Sequence, residues 1–383
     1  MAETSPRPPP ILFIHGYKGC SLVNTSSSSS SSSFLTLTQV LNLSSPDLSL
    51  PTTWTNNEQD RHQLPQILTP GPPLADPLGP CFSSILKARV YAPLLQTLST
   101  EYGPPSLDPT IPSKFYIFSY DWRRSNNETV TQLKTFLEQL SSTPQVIAHS
   151  NGGLLVYSLL NDNPFLIHSV IYAAVPFKGN LAFLPDLITG KKIGLNKKIL
   201  SAAVQRTFTL PFHLLPYRSE AAGLFLNEHN EEIRVDWHDI KTWNDNGLVE
   251  PGSAKSMHLI ACLADAVKFK STLAPTQPKD RYPKCICVQG NSIPTHDGAI
   301  LVKRGVISTS KFKPKPGDGR FSTSCVQPPS GTVLETINSN KKHDSVLDGV
   351  DIISALKTLL ESDSPTTSNS TSTSAADISI ELN

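Results

Sequence analysis

Short apolar runs alternate along this chain with segments whose apolar residues recur every three or four positions. The first run, Ile11-Leu12-Phe13-Ile14, stops abruptly at His15-Gly16. Further strands are predicted over 114–119, 145–148, 169–175 and 284–288. Val90, Leu94, Leu95 and Leu98 fall at helical spacing within 87–100, and Leu133, Phe136, Leu137 and Leu140 do so within 130–140. A third helix is predicted from Gly152 to about Leu160, closed by Asn163-Pro164, and a last one over 346–360. Residues 257–263 form another apolar run, a poorer strand candidate than 284–288, and 299–308 alternate around Gly305 as a hairpin would. Strands and helices in alternation predict the α/β class with a mostly parallel sheet.

Two stretches break the alternation. Residues 21–80 hold a serine run and then Pro-rich polar sequence, which predicts a lid inserted into the domain. Residues 177–252 predict a cap above the sheet. The expected organisation is a flexible N-terminus over 1–10, one domain over 11–361 carrying both insertions, and a disordered Ser/Thr-rich tail over 362–383.

Composition changes this picture little. Hydrophobic residues make up 38% of 383 and can supply a core, while the 33 prolines suit long irregular connections. A formal net charge of +1 gives no reason to expect a nucleic-acid partner. No apolar run approaches the ~18 residues of a membrane span, and Ile11–Ile14 is too short for a signal-peptide core. The protein is therefore expected to be cytoplasmic, and its six cysteines (Cys20, Cys81, Cys262, Cys285, Cys287, Cys325) reduced. Cys285 and Cys287 alternate with apolar neighbours as in a buried strand, not a metal site. Asn24, Asn42, Asn127 and Asn369 each head an Asn-X-Ser/Thr triplet, which carries no weight in that compartment. No metal or cofactor is expected.

The candidate chemistry lies at Val146-Ile147-Ala148-His149-Ser150-Asn151-Gly152-Gly153. A serine hydroxyl needs a base to become a nucleophile. A strand-to-helix turn with small residues two before and two after the serine, here Ala148 and Gly152, exposes the hydroxyl above the sheet. The helix N-terminus beneath it favours developing negative charge. A serine capping an ordinary helix would carry the same letters; the strand before and the helix after Ser150 favour the nucleophile. His15-Gly16-Tyr17, just past the first strand, is where backbone could approach a substrate carbonyl, so the N–H groups of Tyr17 and Asn151 are the expected oxyanion donors. The base and acid of this arrangement follow the serine in the chain. Of the ten histidines, His258, His296 and His343 lie past the cap. His343 occupies a polar loop before the last helix and is the expected base, whereas His258 sits in an apolar run as a packed residue would. Asp297 and Asp318 are both flanked by glycine, and residue chemistry alone leaves the acid open between them.

Taken in order, these residues resemble the lecithin:cholesterol acyltransferase-like lipases, which include lysosomal-type phospholipases A2. The resemblance runs through Ile14-His15-Gly16-Tyr17, Tyr120-Asp121-Trp122-Arg123, His149-Ser150-Asn151-Gly152-Gly153, Val175-Pro176-Phe177-Lys178-Gly179-Asn180 and Leu215-Pro216-Tyr217-Arg218. It continues through Val288-Gln289-Gly290, Ile293-Pro294-Thr295, Gly317-Asp318-Gly319 and His343-Asp344-X-X-Leu347, and so spans residues 11 to about 361. Tyr-Asp-Trp-Arg is the most specific element. The resemblance implies an α/β-hydrolase fold, a Ser150-Asp318-His343 triad with Asp297 as runner-up acid, and Asp121 and Trp122 as structural neighbours. It also implies a lid between Cys20 and Cys81, with Trp54 as part of a peripheral membrane contact, and a lipid or other ester substrate. The chain departs from the family where His15 replaces a proline, and where Arg320-Phe321 follow Gly-Asp-Gly in place of Thr-Val. No two cysteines have the spacing of the secreted members' lid disulfide. The function this implies is a serine lipid acyl hydrolase or acyltransferase. The alternatives are a carboxylesterase of small soluble esters and a non-catalytic binding protein of the same fold.

Overall fold

The computed structural model describes residues 8–24, 31–52, 68–74, 90–216, 225–227, 229, 231, 235–296, 299–302, 306–308 and 314–362. Trp54, Cys81, Tyr217, Arg218, Asp297 and the tail from 363 onward lie outside these residues.

Six strands form the central sheet: β1 (Ile11–Ile14), β2 (Phe115–Phe118), β3 (Gln145–His149), β4 (Ser169–Ala173), β5 (Cys285–Gly290) and β6 (Val333–Ser339). They lie in the order β6-β5-β4-β3-β1-β2, and every pairing is parallel. Five longer helices accompany them: α1 (Ala92–Tyr102), α2 (Asn126–Glu138), α3 (Asn151–Asp162), α4 (Ala254–Ser271) and α5 (Ile352–Ser362).

Strands β1 to β4 are buried along their whole length, as expected of parallel strands covered on both faces. Side chains alternate between the faces with the period of two that the pleat imposes. Leu12, Ile14, Val146, Ala148, Val170 and Tyr172 pack with Leu133 of α2 and Leu154, Leu155 and Leu159 of α3. Ile11, Phe13, Ile147, Ile171 and Ile286 pack with Leu94 and Leu98 of α1 and Leu356 and Leu359 of α5. Each large apolar side chain so enclosed contributes about 1.5–3 kcal/mol, and register matters because a slip of one residue would exchange the faces.

Sequence pattern and structure part company in three places. Residues 257–263 lie inside α4. Ser253 caps this helix through Ser256 N–H, and Leu259, Cys262, Leu263, Ala266 and Phe269 form its buried stripe. Met257, Ile260 and Val267 are apolar but exposed, and they hid the helical period behind a continuous run. The last helix starts at Ile352 instead of 346, because Asp351 accepts the N–H of Ser354 at 3.0 Å and caps the first turn there. Strand β6 escaped notice because it is an edge strand, exposed at Leu334, Glu335 and Asn338, with no apolar run to mark it.

The insertions carry structure of their own. Cys20–Asn24 pairs antiparallel with both Ser31–Phe34 and Leu68–Pro73, in and beside the stretch expected to form a lid. Ala299–Val302 and Val306–Ser308 pair antiparallel, as the expected hairpin would. Short helices Leu184–Thr189, Ala202–Gln205, Leu210–His213 and Ile240–Asp245 fall within 177–252, the stretch expected to form a cap. A separate core joins cap residues Leu184, Phe212, Trp237 and Trp243 to Leu259 and Leu263 of α4. Residues of the 177–252 stretch are therefore packed onto α4. Cys20, Cys262, Cys285, Cys287 and Cys325 are buried free thiols.

Candidate active site

Ser150 stands between β3 and α3 with φ 54° and ψ −123°, a backbone conformation rare for any residue but glycine. Its N–H donates to Ala173 O of β4 at 2.8 Å, which fixes the turn to the neighbouring strand. The space needed for such a turn explains the small residue at 152. A Cβ on Gly152 would come within 2.7 Å of the carbonyl oxygens of both Ile14 and His15.

The C-terminal ends of β3, β5 and β6 bring three distant residues together. Ser150 Oγ lies 3.1 Å from His343 Nε2, and His343 Nδ1 lies 2.8 Å from Asp318 Oδ2. A carboxylate can only accept, so Nδ1 carries the proton and Nε2 turns its lone pair toward the serine hydroxyl. All three are buried. Gly290, at the end of β5, allows this approach: a Cβ there would stand 2.4 Å from Asp318 Cβ. The turn around Asp318 is held by Ile293–Thr295, which pairs with Lys315–Gly317, and by Thr295 Oγ1 accepting the N–H of Gly319.

Asp318 Oδ1 accepts the N–H groups of Arg320 and Phe321 at 2.8 and 2.6 Å. Burial alone would raise this carboxyl's pKa, but His343 and those two N–H groups outweigh it and hold the pKa below the ordinary value. Both donors belong to the backbone, so the replacement of Thr-Val by Arg320-Phe321 leaves them intact. The Phe321 ring also packs edge-on against His343, with centroids 4.6 Å apart.

Of the other candidates, His258 lies in α4 with Nε2 3.4 Å from Cys262 Sγ, and His296 follows the strand Ile293–Thr295. Neither has a contact with Ser150 among the described residues. Asp297 lies outside them. Asn151 follows the serine directly in the chain, and Tyr17 follows Gly16. The loop before Tyr17 presses on Ser150 so closely that a Cβ on Gly16 would sit 2.8 Å from Ser150 Cβ. The side chain of Asn151, the first residue of α3, is locked by Tyr120 Oη and by two reciprocal bonds with Asn126.

Tyr-Asp-Trp-Arg is a brace. Tyr120 Oη donates to His15 O, and its N–H donates to His15 Nε2. His15 must then carry its proton on Nδ1, which donates to Gly16 O at 2.8 Å. Burial lowers this imidazole's pKa to about 4, against the opposing pull of the Gly16 carbonyl, so the ring is neutral. Asp121 pairs bidentately with Arg123, whose Nη1 reaches Leu48 O, and Trp122 Nε1 donates to Cys20 O. The motif thus ties Cys20 and Leu48 to the loop beside Ser150.

Residue chemistry alone did not point to Tyr91 or to the ring of His149. Gly16 N–H donates to Tyr91 Oη at 3.0 Å, and Tyr91 Oη lies 2.8 Å from His149 Nδ1. His149 Nε2 lies 3.1 Å from His343 O. A carbonyl only accepts, so Nε2 bears the proton and Nδ1 accepts from Tyr91. The chain Gly16–Tyr91–His149–His343 fixes the loop at Gly16 relative to the histidine loop. Burial, with His343 nearby, lowers the pKa of His149 far below that of a free imidazole.

The lecithin:cholesterol acyltransferase family model matches residues 112–273. That span contains Ser150 and Asn151 but neither Asp318 nor His343, and over it the resemblance seen in the motifs is borne out. An uncharacterized protein of Saccharomyces cerevisiae (strain ATCC 204508 / S288c) is 28% identical over 175 residues, 42% of this chain. The match covers 26% of that protein, so the chain spans about a quarter of the length of the curated relative it matches. Among solved structures, one chain in the crystal structure of the Tle4–Tli4 complex aligns over 93% of this chain and 98% of its own, with a TM-score of 0.57 at 11% identity. That is a likeness of fold. The mature Bacillus licheniformis lipase BlEst2 aligns over 94% of each chain at 12% identity with a TM-score of only 0.35. The architecture is the α/β-hydrolase fold: a parallel sheet flanked on both faces by helices.

Proposed function

We propose, from a chain whose residues 112–273 match the lecithin:cholesterol acyltransferase family, that this protein is a serine acyl hydrolase or acyltransferase acting on lipid esters. The observation that carries the proposal is the hydrogen-bonded series Asp318 Oδ2, His343 Nδ1, His343 Nε2, Ser150 Oγ at a strand-to-helix turn. In this reading Ser150 Oγ attacks the ester carbonyl while its proton passes to His343 Nε2. The N–H groups of Tyr17 and Asn151 stabilise the resulting oxyanion, aided by the N-terminus of α3. Collapse of the tetrahedral adduct breaks the bond to the alcohol oxygen, which leaves with the proton from His343. Asp318 keeps the imidazole in the required tautomer and offsets its positive charge. Water or a second alcohol, deprotonated by His343, then releases the acyl group from Ser150.

The neutral state of His15 and His149 supports this reading, since neither places a competing charge beside the base. The lipid character of the substrate follows from the family likeness.

Fluorophosphonate labelling together with fatty-acid release from phospholipid vesicles tests the proposal. The native chain is expected to be labelled at Ser150 and to release fatty acid, and Ser150→Ala to lose both. Undiminished release by Ser150→Ala would overturn the assignment. Activity confined to monomeric short-chain esters would favour a carboxylesterase instead.

A further inference from the structure

Two aromatic side chains stand close to the triad and take no part in the proton transfers. Phe321 closes the turn that presents Asp318. Its carbonyl accepts the Asp318 N–H at 3.1 Å, and its own N–H donates to Asp318 Oδ1. With the backbone held in both directions, the ring is set edge-on against His343, with centroids 4.6 Å apart. His149 flanks the same imidazole at 4.8 Å.

Phe183 arrives from a different part of the chain. It ends the single-turn 3-10 helix Leu181–Phe183, capped by Asn180 Oδ1, which accepts the Ala182 N–H at 2.5 Å. Its ring meets that of Phe321 at 6.0 Å and that of Tyr17 at 5.7 Å between centroids. The Arg320 guanidinium lies over it at 5.4 Å. Tyr17 is backed edge-on by Trp122 at 5.8 Å. Phe183, Phe321 and Trp122 are all buried, so these three rings have no open solvent to turn into.

The contacts close a circuit. From Ser150 it runs to Gly16, whose backbone presses on the serine, and on through Tyr17, Phe183 and Phe321 to His343. His343 Nε2 completes it, 3.1 Å from Ser150 Oγ. Rings packed in this way do not yield to a larger neighbour without strain.

We propose that Phe321 and Phe183 form the wall on the alcohol side of the ester and restrict that alcohol to a slim primary one, excluding secondary ring alcohols. This rests on the serine-hydrolase reading above and adds the shape of the group that leaves. His343 Nε2 must reach both Ser150 Oγ and the departing oxygen, so that oxygen sits beside the imidazole. The carbon it carries is then directed into the sector between His343 and Tyr17, which the two phenylalanines close. A primary alcohol places one methylene there, whereas a ring alcohol is branched at the carbon next to the oxygen. An acceptor alcohol enters by the reverse of the same step, so the wall screens it as well.

Initial rates on two esters of one acid, propyl hexanoate and cyclohexyl hexanoate, test this, with acid release followed by titration. Both alcohols are ordinary alkanols, so the pair differs in shape and little in leaving-group acidity. The native chain is expected to favour the propyl ester in kcat/KM by about tenfold or more. Phe321→Val and Phe183→Leu are each expected to narrow that preference by roughly tenfold. A residue that only positioned His343 would slow both esters alike and leave their ratio unmoved. Phe165→Leu, at an exposed ring outside the circuit, is expected to leave the ratio as it was. The Phe183 variant alters a ring one step removed from His343, so it reads the wall even if Phe321→Val does not fold. Equal native rates on the two esters, or an unchanged preference in the folded variants, would overturn the wall. Fluorophosphonate labelling of the native chain tells that failure from failure of the underlying reading. A labelled Ser150 with a flat ester comparison removes the wall alone, as does a labelled chain that hydrolyses neither ester. Absence of both labelling and hydrolysis removes the two together.

Discussion

The hydroxyl of Tyr91 accepts from Gly16 N–H and donates to His149 Nδ1, so Tyr91→Phe would strand two buried partners at once. Each unsatisfied group costs about 1–3 kcal/mol. The ring's packing on Phe13, with centroids 4.9 Å apart, would survive the change. Steady-state kinetics on an ester substrate should therefore register a fall in kcat of about tenfold with KM little altered, because the loop at Gly16 is no longer tied to the His343 loop. A drop in melting temperature with kcat intact would mean that the hydroxyl serves the fold alone. Nothing in Val90-Tyr91-Ala92 marks this tyrosine, which reads as the start of a helical stripe. Ser150 differs in this respect, because the small residues around it and the strand before it are all local features.

Asp265 plays a comparable part between elements. From α4 it accepts Ser125 Oγ and Asn127 Nδ2 at the start of α2, and it meets His213 Nε2 of the cap at 2.9 Å. Burial would raise its pKa, but His213 and the Ser125 and Asn127 donors outweigh that and bring it down to about 2. Asp265→Ala leaves these donors facing one another without their acceptor. A loss on the order of 3 kcal/mol in urea unfolding is expected, along with faster proteolysis in the cap, which limited trypsin digestion would detect. Unchanged stability and digestion would mean that the cap is held by its apolar core of Trp237, Trp243 and Leu263 alone. That α4 is a helix at all escaped the sequence pattern, because its exposed apolar residues hide which face is buried. Nothing in the sequence pattern marked the hydrogen bonds by which Asp265 joins α4 to the start of α2 and to His213.

For the whole molecule, the buried imidazoles set an acid limit. His15 titrates at about 4 in the folded chain against 6.5 when free, and His149 is shifted in the same direction. Between the folded and unfolded values the unfolded chain binds more protons, so stability is complete above pH 6.5 and declines as pH falls toward 4. His15 alone accounts for a loss on the order of 3 kcal/mol across that window. Asp318 and Asp344, both held below the ordinary carboxylate pKa, add stability above about pH 4 that is lost on further acidification. Thermal melts from pH 8 to pH 4 should show the melting temperature falling below 6.5, and replacing His15 by glutamine should flatten that fall. Melts that are flat from 6.5 to 4.5 would contradict the burial of neutral histidine. Among the described residues no helix is long and apolar enough to cross a membrane.

What the sequence determined by itself is short in range. Strand period, helix period and the small residues around Ser150 are consequences of local backbone geometry, and they were enough for the α/β class, the turn that carries Ser150 and most of the sheet. The family likeness favoured Asp318 where residue chemistry left two aspartates open, and Asp318 is the one hydrogen-bonded to His343 among the described residues. Tertiary structure decided what depends on strand order and close approach. His343 meets a serine 193 residues earlier in the chain because β6 joins the parallel edge next to β5, and no local pattern encodes that juxtaposition. Asp318 reaches His343 because Gly290 leaves room for it. The pairing of Tyr91 with His149 arises the same way: each residue is ordinary where it stands in the chain, and only folding gives it its neighbours.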